Sequence, residues 1–88
     1  MGAEHDPGTA IGKVTHYFSH LSVAAVTLTA PLAVGERIHV RGHTTDLEQN
    51  VESMEVDHAA VTSAAPGDDV ALKVVGHLRD HDLLFREG

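Results

Sequence analysis

The sequence predicts an all-β domain, a small closed six-stranded barrel of Greek-key type, and three observations carry that prediction. From Ala10 onward the chain is rich in Val, Leu, Ile and Thr and is cut at short intervals by Gly, Pro and Asp, the rhythm of strands and turns. No stretch holds apolar residues at i, i+3, i+4 and i+7 for more than a turn or two, so helices are not expected. The strands carry their apolar residues on one face, and an open sheet of six such strands leaves two unprotected edges that a barrel removes.

Residues 1–9 contain Gly2, Pro7 and Gly8 among charged neighbours without periodicity, and are read as a disordered tail before a single domain over 10–87. The first strand is Ile11 to Phe18, with Gly12, Val14, His16 and Phe18 on one face. A glycine inside a strand marks a bend or a close approach of another chain segment. A Ser19-His20 turn leads into Leu21 to Leu28, which is apolar on both faces. Pro31 to Gly35 reads as a loop. Glu36 to Arg41 alternates cleanly, with Ile38 and Val40 inward and Arg37, His39 and Arg41 outward.

Gly42 to Asp46 turns the chain into one long strand, Leu47 to His58. Val51 and Met54 both look like core residues at a spacing of three, so a β-bulge is expected near Glu52-Ser53. Pro66-Gly67 fits the central positions of a type II turn, where glycine supplies the positive φ. Asp69 to Val75 follows, with Val70, Leu72 and Val74 inward. The last strand is Asp82 to Arg86, with Leu83 and Phe85 inward.

Composition narrows the function. The chain has 88 residues, enough for one core without a deep substrate pocket. There is no cysteine, which excludes disulfides, thiolate metal sites and thiol nucleophiles. No segment approaches the roughly 20 apolar residues of a membrane span, and the N-terminus lacks the apolar run of a signal peptide, so a cytoplasmic protein is expected. A net charge of −7 with six basic residues is a poor endowment for binding nucleic acid. Eight histidines make the field of the molecule sensitive to mild acid.

Three motifs carry a resemblance. Leu32-x-Val34-Gly35-Glu36-x-Ile38-x-Val40, Val51-x-Ser53-Met54 and Ala64-Ala65-Pro66-Gly67-Asp68-x-Val70-x-Leu72 resemble, in order, the second domain of elongation factor Tu and related translational GTPases. The likeness covers about residues 10–87. The opening Ile11 to Phe18 and the stretch Gly42 to Asp46 look closer to small stand-alone elongation factor-like bacterial proteins. They also look closer to the C-terminal barrel of the collagenase-like peptidase family, some of whose members modify tRNA. Asp80-His81-Asp82 departs from the pattern, which places a glycine before the aspartate. The resemblance implies a barrel that packs against a larger partner and, in elongation factors, touches the aminoacyl end of tRNA. No G-x-x-x-x-G-K-[ST] phosphate loop occurs, so GTP binding by this chain is not expected.

No G-x-S-x-G elbow is present and the carboxylates fall mostly on turns or outward positions, so the chain reads as non-catalytic and without a cofactor. Gly76-His77-Leu78-Arg79-Asp80-His81-Asp82 offers two imidazoles and two carboxylates but reads as a solvated hairpin, and no metal site is assigned there. The binding candidates are His16 and Tyr17 in the first strand, the outward row Arg37, His39 and Arg41, and His43 in the following turn. The arginines form either cross-strand pairs with an acidic strand (Glu52, Glu55, Asp57) or a cationic strip for a phosphate or an acidic protein. The two-faced second strand is a further candidate surface. The expected function is a non-catalytic module that binds a protein partner, with contact to RNA or tRNA as the alternative.

Overall fold

The computed structural model describes residues 9–87. All but Thr9 of the expected N-terminal tail lies outside them. The described residues contain no helix and ten strands. They are β1 (Gly12–Phe18), β2 (Val23–Leu28), β3 (Leu32–Ala33), β4 (Arg37–Arg41), β5 (Asp46–Asn50), β6 (Met54–Val56), β7 (Ala59–Val61), β8 (Ser63–Ala64), β9 (Asp69–Lys73) and β10 (Leu83–Glu87). Eight form one sheet in the order β5-β4-β10-β1-β2-β9-β6-β7, and β3 pairs with β8 in a second.

The expected six strands are therefore ten, and no ladder joins the two ends of the large sheet. The sheet nevertheless curls. β5 and β6 stand six positions apart, about 29 Å in a flat sheet at the usual ~4.8 Å spacing. Only Val51, Glu52 and Ser53 connect them, and that link reaches at most about 14 Å. Gln49 fastens β5 to β9 across the curl. Its buried amide donates to the Lys73 carbonyl (2.9 Å) and accepts from the Val75 N–H (2.9 Å), standing in for a strand pair between β5 and the end of β9.

Inside the curl lie Val14, Val26, Ile38, Val40, Met54, Val70, Leu72 and Leu84, all nearly inaccessible. Ile38, Val40, Val51, Met54, Val70, Leu72 and Val74 are buried as expected. A Cβ on Gly12 would come within 2.8 Å of Val26 Cγ1, so its expected role in a close approach holds.

Four expectations are corrected. The long strand Leu47 to His58 breaks at Val51 to Ser53, because its halves pair with different partners, β5 with β4 and β6 with β9. It ends in a β6–β7 hairpin, whose Asp57 and His58 both have positive φ (52° and 65°), as a type I′ turn requires. The register shift falls instead in β1 at Thr15, between the pairs Val14↔Val26 and His16↔Ala25. That extra residue rotates the end of β1, so His16 and Phe18 face outward while Tyr17 packs on the core. In β10 the inward residue is Leu84, not Leu83. Phe85, although buried, faces the side opposite Leu84, directly across from His39. Finally, Leu32–Ala33 is a short strand, not loop, with Leu32 in the core.

Three turns share one construction. In Ala33–Glu36, Ala65–Asp68 and Arg79–Asp82 the fourth N–H bonds the first carbonyl (3.2, 3.1 and 3.2 Å). The fourth side chain, a carboxylate, accepts the first N–H (2.9, 2.9 and 2.8 Å). The third residue has positive φ: Gly35 at 100°, Gly67 at 92° and His81 at 77°. The Pro66-Gly67 turn is thus as expected, and His81 takes the position where the resembling family uses glycine.

Candidate functional site

Two outer surfaces hold the candidate chemistry. The first is built by register alone. On β4, Arg37, His39 and Arg41 face Asn50, Glu48 and Asp46 of β5 and Glu87, Phe85 and Leu83 of β10. The alternation of three neighbouring strands therefore makes a three-by-three grid with His39 at its centre.

In this grid Arg37 Nη2 lies 3.5 Å from Glu48 Oε1, its Nε lies 3.2 Å from Glu87 Oε1, and its Nη1 donates to Asn50 Oδ1 (3.2 Å). His39 Nε2 hydrogen-bonds Asp46 Oδ1. Its Nδ1 stands 3.4 Å from Glu87 Oε2 and 3.8 Å from Glu48 Oε2. The Asp46 carboxyl is held below its ordinary value, chiefly by its hydrogen bond with His39, against desolvation and with smaller help from the charges of His39 and Arg41. The basic row therefore faces its own carboxylates rather than forming a free cationic strip. The acids are Asp46, Glu48 and Glu87, not Glu52, Glu55 and Asp57, because β4 lies between β5 and β10 and not beside β6.

The second surface is a groove between the β1–β2 loop and the β6–β9 edge. Phe18, Leu21, Val23 and Ala71 line it, with Ser53, Glu55, His58 and Lys73 at its rim. Phe18 is 42% and Leu21 61% exposed. The reason is local. The bulge at Thr15 turns Phe18 outward, and the loop ends on Ser22 with φ 54°, which leaves Leu21 outside the ladder. His16 stacks edge-on against Phe18, with ring centroids 4.4 Å apart.

Of the sequence candidates, Arg37, His39 and Arg41 are brought together. His16 adjoins the groove through Phe18. Tyr17 lies elsewhere, its ring 4.7 Å from that of His77. His43 is exposed in the β4–β5 turn. In the GHLRDHD segment Asp82 is buried against Gly42 and caps the Arg79 N–H, while His77 packs on Tyr17, so these groups do not converge. Sequence reading missed Asp46, Glu48 and Glu87 as partners of His39. Their signal was present in the alternation of β5 and β10, but their proximity required the strand order.

No protein-family model matches the chain. An uncharacterized protease of Methanocaldococcus jannaschii is 33% identical over 76 residues, which are 85% of this chain and 19% of that protein. The chain thus spans about a fifth of the length of this curated relative. The crystal structure of the C-terminal domain of a U32 peptidase from Geobacillus thermoleovorans superposes with a TM-score of 0.85. It is 20% identical, over 90% of this chain and 92% of that domain. The selenomethionine variant of the same domain gives 0.83 at 18% identity, over 89% and 99%. The chain therefore shares its fold with a C-terminal domain of the U32, collagenase-like, peptidases, one of the likenesses drawn from its motifs.

Proposed function

We propose that this chain is a non-catalytic interaction domain that docks through the Phe18–Leu21–Val23 groove onto a larger protein. The partner is the body of a protease-like protein of the kind that carries such a domain at its C-terminus. The observation that carries this reading is the groove: an exposed aromatic ring and an exposed leucine flanking small apolar residues. Exposed apolar patches of this kind mark interfaces. The likeness to a fifth of a longer protease and to a C-terminal peptidase domain supports a supporting rather than a chemical role.

The curled sheet, with β5 and β6 as halves of one bent strand, reads as a barrel of the translation-factor second-domain type. Contact with RNA is the weaker reading, because Arg37 is already engaged with carboxylates and the net charge is −7.

The test is affinity capture from source cells with the tagged chain, with and without ribonuclease, comparing wild type with Phe18→Asp/Leu21→Asp. A protease-like partner that survives ribonuclease and is lost with the double variant is the expected result. Capture that the variant leaves unchanged, or that ribonuclease abolishes, would overturn the proposal.

A further inference from the structure

We infer that His39, Glu48 and Glu87 form a binding site for a divalent transition-metal ion of the zinc class on the outer face of β4, β5 and β10. One donor comes from each strand, and the three donor atoms lie within 4.8 Å of one another. Zinc bonds of about 2.0–2.2 Å to nitrogen and oxygen place tetrahedral ligands about 3.3–3.6 Å apart. His39 Nδ1 already stands 3.4 Å from Glu87 Oε2 and 3.8 Å from Glu48 Oε2. The glutamates are half-exposed side chains that close the remaining gap by rotamer adjustment.

Two further contacts specify a cation at this point rather than a mere cluster of charge. Asp46 pairs with His39 Nε2, which orients the ring so that Nδ1 is the nitrogen facing the two glutamates. An unprotonated Nδ1 facing two anions is repulsive until a cation stands between them. The carboxylate–histidine–metal relay is the usual second shell of a metal-bound imidazole. Arg37 is the other contact. It engages Oε1 of both glutamates (3.5 and 3.2 Å), and so presents both Oε2 atoms to His39 instead of competing for them. Phe85, buried across from His39, shields one flank, and the side-chain exposure of Glu48 leaves a fourth position open to water. With no cysteine in the chain, one nitrogen and two oxygens suit zinc, cobalt or nickel. A proton on Nδ1 is the competing occupant of the same space.

The experiment is zinc chloride titration of the full chain near pH 7, read by calorimetry and by histidine side-chain NMR. One equivalent of zinc is expected to move the His39 ring signals. Glu48→Gln and Glu87→Gln, exposed and isosteric changes that leave the fold intact, are each expected to weaken binding at least about tenfold, as is His39→Ala. Asp46→Asn is expected to weaken it about 10–100-fold through the imidazole alone. His77→Ala, outside the site, is expected to leave it within twofold. Zinc that shifts only other histidines, or affinity unchanged by both glutamine variants, would overturn the assignment. Loss with His39→Ala alone would overturn the three-ligand site in favour of a lone surface imidazole.

Discussion

Gln49→Ala tests whether a side chain holds β5 against the end of β9 across the curled sheet. Gln49 points inward from β5, is 7% exposed, and bonds the Lys73 carbonyl and the Val75 N–H at 2.9 Å each. Truncation removes both bonds. Each backbone group left without a partner costs about 1 kcal/mol if water reaches it and up to about 3 if it stays dry. Both groups lie near the surface at the end of β9, so the lower half of that range applies and the total is about 2–4 kcal/mol. For a domain of this size that lowers Tm by at least about 8 °C. Gln49→Glu separates hydrogen bonding from packing. It keeps nearly the same shape and the acceptor for Val75, but turns a carboxylate on the Lys73 carbonyl. Thermal and guanidinium unfolding followed by circular dichroism measure both. A loss below about 0.5 kcal/mol for Gln49→Ala, or Gln49→Glu as stable as wild type, would refute the fastening.

Gly42→Ala places a Cβ 1.8 Å from Asp82 Oδ1, so the buried carboxylate must move off the Arg79 N–H. A loss of about 2–4 kcal/mol is expected, falling to below about 1 in an Asp82→Ala background; additive losses in the double-mutant cycle would disprove the clash. His81→Gly and His58→Gly relieve side chains held at φ 77° and 65°, and each is expected to stabilise by about 0.5–1 kcal/mol after the entropy glycine adds to the unfolded chain; unfolding midpoints that fall instead would contradict the left-handed assignment. The Asp46 carboxyl, lowered from 3.8 by His39, contributes stability that is present above its unfolded value and is lost as pH falls through its folded one. Its carbon-13 titration midpoint is expected below 3.8, rising toward that value in His39→Ala. Arg37→Ala removes half-exposed pairs and is expected to cost under about 1 kcal/mol, a loss that shrinks in high salt.

Several features were legible from neighbours along the chain. Alternation placed Ile38 and Val40 inside and Arg37, His39 and Arg41 outside. Pro66-Gly67 fixed a turn, because only a few residues adopt positive φ cheaply. The lack of helical periodicity settled the class. Where apolar residues are consecutive, as in Leu83-Leu84-Phe85, alternation is ambiguous, and pairing with Val40 and Gly12 decided that Leu84 points in. The bulge at Thr15 and the positive φ of Asp57, His58 and His81 carry no glycine to announce them; the surrounding ladders impose them. Strand order is the deepest of these tertiary decisions. Glu48 and Glu87 lie 39 positions apart in the sequence, and they meet at His39 only because β4 pairs with both β5 and β10, a hydrogen-bonding choice that no local pattern encodes.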